Sequence, residues 1–352
     1  MLTGAFGYLA DYLLWWVLCL SLLVHAWCFF RFFPPTRSRK ARLAVGNALV
    51  FACLLAIAAL AGESYFRFCA VHTDSFGVSL PARRWFALYT KLNSLGCRDK
   101  EWTQGDPPGV RRIAFVGDSY VYGWGIENPS HRFSDLIQAK FNVRNAGEVE
   151  VLNVAKPGWN SKQELQPVKD MIERYGVDEI VLGYVPNDIE HLLPRSDDFN
   201  PTRPPDSTFF NLDASCLLDY LYRRIYLPRV PTVRGYHDWL AEGFADDQVL
   251  GAHQRELDEI IAVCAERGVT FRAVLLPFLK TGGRRFSTPT VHGIMAEYFR
   301  SRGAAVVDLA PVLKGVPPDD LVVNAADAHP NERAHALIAE TAFAAFYSDP
   351  PH

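Results

Sequence analysis

The chain has 352 residues and a formal net charge of −3, with 36 Lys and Arg against 39 Asp and Glu. A charge so nearly balanced gives no sign of the basic surface by which proteins hold nucleic acid, and we expect no nucleic-acid partner. The mean hydropathy is close to zero, but this average conceals a first stretch of 62 residues that is far more apolar than the remainder.

Two apolar segments in this first stretch are each long enough to cross a bilayer as a helix. They are YLLWWVLCLSLLVHAWCFF at 12–30 and LAVGNALVFACLLAIAALAG at 43–62. The loop between them carries five basic residues, namely Arg31, Arg37, Arg39, Lys40 and Arg42. Because basic loops stay in the cytoplasm, the pattern predicts a transmembrane hairpin at 1–62 in the cytoplasmic (inner) membrane. All later residues are then expected on the extracytoplasmic side.

Two other interpretations of these segments fit less well. A cleaved signal peptide would carry its basic residues before the apolar run, whereas here they follow it and a second span comes next. A pair of buried core helices would need a partner layer that the more polar remainder of the chain does not obviously supply. Membrane lipids are therefore the expected partner of this region.

The rest of the chain divides into a connector and a long region of alternating elements. Residues 63–110 are rich in turn formers and charge, so we interpret them as a connector. From 111 to 348 strands alternate with helices, apart from a proline-rich stretch at about 190–245 that we expect to be an irregular insert. The predicted strands are 113–116, 149–155, 178–185, 269–277 and 304–310, and the predicted helices are 131–141, 162–176, 246–268, 288–303 and 331–347.

This alternation is typical of right-handed βαβ units. It predicts a three-layer α/β domain at 111–348, in which helices cover both faces of a parallel sheet of about five strands. In such sheets the functional groups collect beyond the carboxyl ends of the strands. The polar residues that follow the strands are therefore the candidates for chemistry.

The residues beyond the predicted strand ends include the components that acyl transfer requires. Ser119 follows the first strand, and a serine nucleophile needs an imidazole base, for which His329 is the candidate. Asp327 is placed to hold the imidazole tautomer and to stabilise its charged form. The backbone amides of Ser119 and Gly158 and the side-chain amide of Asn187 are candidates for an oxyanion hole.

Each of these residues has a plain structural interpretation when it is taken alone. Ser119 is a common helix cap, and Gly158 and Asn187 stand in turn-forming sequences. His329 precedes a proline and suits the start of the last helix. Asp118 is expected to bond loop amides. Taken together, however, the candidates favour a catalytic site, because they follow one another along the chain and each stands at a strand end or before the last helix.

In these residues the sequence resembles the SGNH hydrolases, the superfamily of GDSL-type esterases. Four blocks carry the resemblance, and they are GDS at 117–119, NVAKPGWN at 153–160, VPND at 185–188 and DAHPN at 327–331. The flanking NSLGCRDKE and GDSYVYGWGIE resemble membrane-anchored bacterial members in particular. The resemblance covers about 92–345 and implies a flavodoxin-like α/β/α fold with an ester-cleaving activity.

The resemblance also implies a role for each matching residue. Ser119 is the nucleophile, His329 and Asp327 complete the triad, and the oxyanion donors are Ser119, Gly158 and Asn187. The last block departs from the family pattern, because it has the spacing DxH in place of the usual DxxH. This departure bears on Asp327 and leaves a dyad as the alternative to a triad. In the third block Pro186 replaces the usual small residue.

The function predicted from the sequence is that of a membrane-anchored serine esterase that acts through an acyl-enzyme on an O-acylated envelope glycan, glycolipid or lipid. The same site could acylate an exported glycan, which would require a membrane partner that exports acyl groups. A non-catalytic glycan-binding module of the same fold is a further alternative, although no block residue is missing. A metal-dependent hydrolase is disfavoured because His329 and His335, six residues apart, would face different sides of a helix.

Further predictions concern the seven cysteines and the aromatic residues of the insert. No pair is spaced as CxxC, so we expect no metal site and no other cofactor. Cys97 stands where related sequences carry an aromatic residue, which suggests a Cys69–Cys97 disulfide in the exported connector. Cys216 and Cys264 are the other exported candidates. The aromatic side chains either stack on sugars or form the core of the insert itself; they are Tyr220, Tyr222, Tyr226, Tyr236 and Trp239.

Overall fold

The computed structural model describes residues 2–32, 38–144, 147–194, 215–281 and 286–348, and these fall into two compact units. The first unit comprises the described parts of 1–72, 78–84 and 200–229 and contains the apolar helices. The second comprises the described parts of 73–77, 85–199 and 230–352 and contains the sheet.

The helices in chain order are α1 Leu2–Phe32, α2 Arg39–Ser64, α3 Leu80–Tyr89, α4 Ser119–Tyr122, α5 Phe133–Arg144, α6 Ser161–Tyr175, α7 Cys216–Leu221, α8 Pro231–Arg234, α9 Tyr236–Ala245, α10 Asp247–Glu266, α11 Thr288–Ser301, α12 Ala310–Leu313 and α13 Glu332–Tyr347. The strands are β1 Arg111–Gly117, β2 Val149–Ala155, β3 Glu179–Tyr184, β4 Thr270–Leu275, β5 Ala305–Asp308, β6 Val322–Asn324 and β7 Asp327–Pro330. Short helical turns of other pitch occur at Tyr65–Cys69, Pro129–His131, Pro186–Leu192, Tyr222–Tyr226, Leu227–Arg229 and Pro318–Asp320.

The first unit is built on α1 and α2, which pack against each other as an antiparallel pair. At one end the hydroxyl of Tyr12 lies 2.7 Å from that of Ser64, and at the other a Cβ on Gly46 would lie 3.1 Å from the ring of Phe30. The stretches Leu9–Phe32 and Arg39–Cys69 are long and apolar enough to cross a membrane. Only 11% and 17% of their most apolar windows are buried, whereas core helices of a soluble protein are mostly buried.

The carboxylate of Glu63, near the end of α2, joins this helix to α7 within the same unit. It accepts hydrogen bonds from the hydroxyl of Ser215 at 2.7 Å and from the backbone amide of Leu217 at 2.9 Å. The guanidinium of Arg67 pairs with it at 2.7 Å, and both side chains are fully buried. An acid at a helix N-terminus satisfies amides that have no partner inside the helix, so Glu63 caps α7 together with Ser215, whose hydroxyl accepts the amide of Leu218 at 3.2 Å.

The second unit is organised around a five-stranded sheet with the order β2-β1-β3-β4-β5, all strands parallel. The central strands are buried on both faces, and Ile113 to Val116 of β1 are all inaccessible. Fully buried parallel strands read as continuous apolar runs, which is why these strands could be recognised in the sequence. Strands β1 and β3 reach the same level, since Gly117 pairs with Gly183.

Helices cover the two faces of this sheet in pairs. Helices α6 and α10 pack together on the face that contains Val116 and Ile180, and they contribute Val168 and Ile260 to one apolar cluster. Helices α5 and α13 pack together on the opposite face, where the ring of Phe115 meets that of Phe133. The predicted three-layer α/β fold with five parallel strands is confirmed.

Two regions contain more regular structure than the sequence pattern indicates. The predicted connector at 63–110 includes α3, and the predicted irregular insert is largely helical over its described part from 215 to 245. In α8 a proline is compatible with the helix, because Pro231 is its first residue and proline is favoured in a first helical turn. Residues 195–214 of the insert lie outside the described residues.

The predicted disulfide between Cys69 and Cys97 is wrong. All seven cysteines lie among the described residues and all are free thiols, including Cys216 and Cys264. Cys97 is 2% exposed and belongs to the apolar cluster that contains Trp102. Burial raises the pKa of the Cys97 thiol to about 11, so this side chain behaves as a small apolar group.

Candidate active site

Ser119 is placed at the end of β1 by a close approach between α4 and the sheet. A Cβ on Gly117 would lie 2.3 Å from Cγ2 of Val121, and a Cβ on Gly183 would lie at the same distance from it. A Cβ at either position would clash with Val121, so only glycine at both strand ends leaves space for this side chain. As a result α4 begins directly beyond the strand end, with Ser119 as its first residue.

The carboxylate of Asp118 organises this turn. Its Oδ1 accepts a hydrogen bond from the amide of Tyr120 at 2.8 Å, and Asp118 thereby caps α4. Its Oδ2 lies 3.4 Å from the hydroxyl of Ser119 and 3.5 Å from Nδ2 of Asn187. Asp118 therefore connects the end of β1 to the turn that follows β3.

The structure brings Ser119, His329 and Asp327 into one hydrogen-bonded chain. Nε2 of His329 lies 2.8 Å from Oγ of Ser119, and Nδ1 lies 2.6 Å from Oδ1 of Asp327. An imidazole that donates from Nδ1 to the carboxylate presents a lone pair at Nε2 to the serine hydroxyl. This is the arrangement in which a neutral histidine withdraws a proton from serine.

The DxH spacing is accommodated by a short hairpin that the sequence pattern did not reveal. Strand β7 pairs with β6 in antiparallel fashion, with Asn324 opposite Asp327. Residues two apart on a strand project to the same side, so Asp327 and His329 face each other directly. Oδ1 of Asp327 also accepts the backbone amide of His329 at 3.1 Å. In this geometry the shorter spacing still joins the carboxylate to the imidazole.

The electrostatic setting favours an ionised aspartate beside a basic histidine. Burial acts to raise the pKa of Asp327, but the charge and hydrogen bonds of His329, with a contribution from Thr73, outweigh it and hold that pKa below its usual range. Burial acts to lower the pKa of His329, but the neighbouring Asp327, Asp118 and Asp74 outweigh it and raise that pKa. The imidazole is thus a stronger base than a free histidine.

Asn187 and Gly158 lie in the turns after β3 and β2. Gly158 has a φ of +80°, which favours glycine, and a Cβ added there would meet nothing within 4 Å. The turn is closed by a bond from the amide of Trp159 to the carbonyl of Lys156 at 3.2 Å. The amide of Lys156 donates to the carbonyl of Gly117 at 3.3 Å, so this turn begins beside the end of β1.

Two buried acids near this site were not recognised from the sequence. Glu164, on the first turn of α6, and Asp188, after β3, are both completely buried. Burial, followed by the charge of Asp118, raises the pKa of Glu164 to about 8. Burial and the charges of Glu164 and Asp118 raise the pKa of Asp188 well above its usual range. Neither residue stands in a pattern that signals burial, because acids in a first helical turn or a turn are common on surfaces.

His335 has a structural setting. Its Nδ1 accepts a hydrogen bond from the amide of Phe133 at 3.1 Å, and its ring stacks on that of Phe133 at 5.6 Å. Burial lowers the pKa of His335 to about 3, so the ring is neutral. Among the described residues no group of three His, Cys, Asp or Glu side chains is arranged to hold a metal ion.

The aromatic residues of the insert mostly contact protein groups. The ring of Tyr220 stacks on Phe66 at 4.1 Å within the first unit. In the second unit the hydroxyl of Tyr236 donates to Glu190 at 2.9 Å, and the indole of Trp239 donates to the carbonyl of Pro194 at 3.2 Å. These contacts favour internal packing for Tyr220, Tyr236 and Trp239, whereas Tyr226 is exposed.

A comparison with protein families matches residues 115–337 to the model described as "GDSL-like Lipase/Acylhydrolase family". No curated protein sequence matches the chain. Solved structures similar to it include the psychrotrophic esterase EstA from Pseudoalteromonas sp., with 13% identity, 68% of this chain and 97% of that chain covered, and a TM-score of 0.43.

Two further similar structures are those of TesA and of the acetyl xylan esterase AlAXEase. For TesA the identity is 12%, the coverage 68% of this chain and 99% of that one, and the TM-score 0.43. For AlAXEase the identity is 11%, the coverage 67% and 99%, and the TM-score 0.44. These sequence identities and TM-scores are too low to indicate a substrate. The family of the chain is shown by the family model matched at 115–337.

Proposed function

The chain belongs to the GDSL-like lipase/acylhydrolase family and is an ester-hydrolysing enzyme, and on this premise we propose that it cleaves acyl esters through a covalent intermediate on Ser119. The observation that carries the proposal is the continuous chain of hydrogen bonds from Ser119 through His329 to Asp327. These three side chains come from two distant parts of the sequence, and the fold brings them together in the order that a serine hydrolase requires.

In the proposed reaction His329 takes the proton of Ser119 as the serine oxygen attacks the ester carbonyl. The resulting oxyanion accepts hydrogen bonds from the amides of Ser119 and Gly158 and from the side chain of Asn187. The intermediate collapses when protonated His329 gives its proton to the leaving alcohol. Water, deprotonated by the same imidazole, then releases the acid and restores the serine.

Asp327 and Asp118 have different parts in this scheme. Asp327 stays ionised and stabilises the imidazolium that forms at His329 during each attack. Asp118 holds the turn that presents Ser119, and its contact with Nδ2 of Asn187 positions that amide near the nucleophile. Asp118 is therefore a positioning residue of the oxyanion hole.

We further propose that the apolar helices anchor the enzyme in the cytoplasmic membrane with its catalytic domain outside the cytoplasm. The support comes from the length and exposure of α1 and α2 and from the basic residues at 31–42, between their two apolar segments. A substrate on that side would be an O-acylated glycan, glycolipid or lipid of the envelope. Transfer of the acyl group to a sugar hydroxyl is the alternative outcome of the same intermediate, and it would need a partner that supplies acyl groups across the membrane.

The test uses the purified full chain in detergent with short-chain aryl esters and with acetylated glycans, each in the presence and absence of a sugar acceptor. We expect release of free acid from the aryl esters and loss of this release in Ser119→Ala. The matched control is Ser130→Ala, because Ser130 is an exposed serine outside the site. An acylated sugar as the main product would favour the transferase. An intact, folded chain that hydrolyses none of these esters would contradict the proposal.

A further inference from the structure

The segment Thr73–Gly77, which we call the strap, lies against the hairpin that carries Asp327 and His329. It begins four residues after Cys69, where the second apolar stretch ends, and it belongs to the same compact unit as the sheet. The strap is far from the hairpin in the sequence, since 251 positions separate Ser75 from Ala326. None of the four family blocks includes the strap.

Ser75 holds the backbone on both sides of Asp327. Its amide donates to the carbonyl of Ala326 at 3.1 Å, and its hydroxyl lies 3.3 Å from the same carbonyl. The hydroxyl oxygen also accepts the amide of Ala328 at 3.0 Å. The peptide groups before and after Asp327 are thus tied to one serine, which restricts the direction in which the Asp327 carboxylate points.

Thr73 lies against the strand of the hairpin that is paired with Asp327. Its carbonyl accepts Nδ2 of Asn324 at 3.1 Å, and Asn324 is opposite Asp327. Its side chain contributes to holding the pKa of Asp327 below the usual range. Thr73 is 1% exposed and Asp327 is also 1% exposed. A carboxylate buried this deeply needs hydrogen-bond donors to remain ionised, and the Thr73 hydroxyl is the candidate for a donor beyond those of His329.

Asp74 and Gly77 of the strap lie against Trp124, whose ring is close to the imidazole of His329. Asp74 is 4% exposed, and its charge contributes to the raised pKa of His329. The carbonyl of Asp74 accepts the indole N–H of Trp124 at 3.1 Å, and the ring centroid of Trp124 lies 6.4 Å from that of His329. Gly77, with a φ of +65°, lies so close that a Cβ would be 2.9 Å from the indole.

We propose that the strap is a positioning element of the active site, in which Ser75 fixes the backbone on both sides of Asp327 and the Thr73 hydroxyl donates to its carboxylate, so that His329 is aligned with Ser119. This inference rests on the proposed function, because it assigns a role in the same reaction. It assigns the strap no direct contact with substrate. The energy of a hydrogen bond to a charged group implies that loss of the Thr73 donor lowers kcat by about tenfold or more.

The test compares Thr73→Val, Thr73→Ser and Ser75→Ala in the full chain in detergent micelles. Thr73→Val keeps the shape of the side chain and removes the hydroxyl, whereas Thr73→Ser keeps the hydroxyl. We expect Thr73→Val to lower kcat for an aryl acetate with little change in KM, and Thr73→Ser to stay close to wild type. The matched control is Thr270→Val, since Thr270 is exposed at the start of β4.

A second readout does not require turnover. The Nδ1 proton of His329, in its short bond to Asp327, gives a proton resonance far downfield that His329→Gln identifies. We expect Thr73→Val and Ser75→Ala to shift or broaden this resonance and Thr270→Val to leave it in place. A general loss of stability would lower the melting temperature without this selective effect.

The outcomes separate this inference from the proposed function. Normal kcat together with an unmoved resonance in both Thr73→Val and Ser75→Ala would overturn the positioning role. If Thr73→Val does not fold, Ser75→Ala decides the question by the same two readouts. A wild-type chain that hydrolyses no ester but whose His329 resonance moves in these variants would support the strap and contradict the proposed function.

Discussion

Nε2 of His329 lies 2.8 Å from Oγ of Ser119, although 210 residues separate the two in the chain. The approach depends on two separate devices. On one side, Gly117 and Gly183 let α4 sit directly on the sheet, and on the other, the hairpin of β6 and β7 presents Asp327 and His329 on one face.

If this pair performs the chemistry, Ser119→Ala and His329→Ala should each lower kcat/KM for an aryl acetate by about 10³-fold or more. The double variant should lose little further activity, because nucleophile and base act as a unit. Steady-state kinetics with circular dichroism as a check of folding measures this. Additive losses in the double variant would argue that the two residues work independently.

The contribution of Asp327 should be large despite the short DxH spacing. Asp327→Asn keeps the size of the side chain but removes the charge that stabilises imidazolium, and we expect a loss of about 10²- to 10⁴-fold in kcat. Asp135→Asn, at a carboxylate on α5 outside the site, is the comparison. A loss below about tenfold would indicate a Ser119–His329 dyad instead.

The pH dependence of kcat/KM follows from the raised pKa of His329. The base must be neutral to act, so activity should rise with pH through a midpoint above the ordinary value of 6.5. Removing one of the negative charges that stabilise the imidazolium lowers the pKa, so Asp74→Asn should move the midpoint to lower pH. Asp247→Asn, an exposed carboxylate on α10, should not. A midpoint that stays fixed in Asp74→Asn would show that Asp74 does not act on His329.

The stability of the fold should decrease as the pH rises, because of Glu164. Its pKa in the folded chain is raised to about 8 from an ordinary 4.5, so the folded form retains a proton that the unfolded form has lost. The stabilisation is complete below the lower value and is lost as the pH rises through the higher one. Glu164→Gln mimics the protonated side chain, so its melting temperature should fall less than that of wild type between about pH 5 and pH 9.

The control for this measurement is Glu259→Gln, since Glu259 is exposed on α10. The neighbouring buried acids Asp118 and Asp188 remain in the Gln variant, so the comparison isolates the ionisation of Glu164 itself. Identical pH dependence in Glu164→Gln and wild type would mean that Glu164 is ionised in the folded chain.

The orientation of the chain in the membrane is a separate prediction. The basic loop at 31–42 should lie in the cytoplasm, so a reporter active only there should work when it is inserted in the loop. A reporter active only outside the cytoplasm should work when it is fused after residue 352. The reverse pattern would place the enzyme on the cytoplasmic side and remove the argument for an envelope substrate.

The sheet could be predicted from the sequence because its strands are continuous apolar runs that end at turn residues. Ile113 to Val116 runs directly into Gly117, and this signal is local. The residues Ser119, Asn187 and His329 could be selected because each follows a strand or precedes a helix, where parallel sheets collect functional groups. Their catalytic roles remain predictions that the kinetic experiments above address.

Long-range contacts account for what the sequence did not indicate. Thr73 and Ser75 lie in an unremarkable stretch of polar residues, and only folding brings them to Asp327. For Cys97 the sequence suggested a contact that the fold does not make. Its position in the predicted connector suggested a disulfide, whereas its side chain is packed in the core beside Trp102. Chemical type alone does not tell which surface a residue of a loop will face.

The contact between Val121 and the two strand-end glycines constrains the order in which this protein can change during evolution. A Cβ on Gly183 meets Cγ2 of Val121 at 2.3 Å, but its next contact, with Leu276, is at an ordinary 3.4 Å. Alanine at 183 is therefore tolerable only in a lineage that has already replaced Val121 with a smaller residue. Alanine at 183 would meet this clash if it came first, so we expect Val121 to be replaced before Gly183. Gly117 stays constrained even then, because a Cβ there would also lie 3.1 Å from the carbonyl oxygen of Gly183.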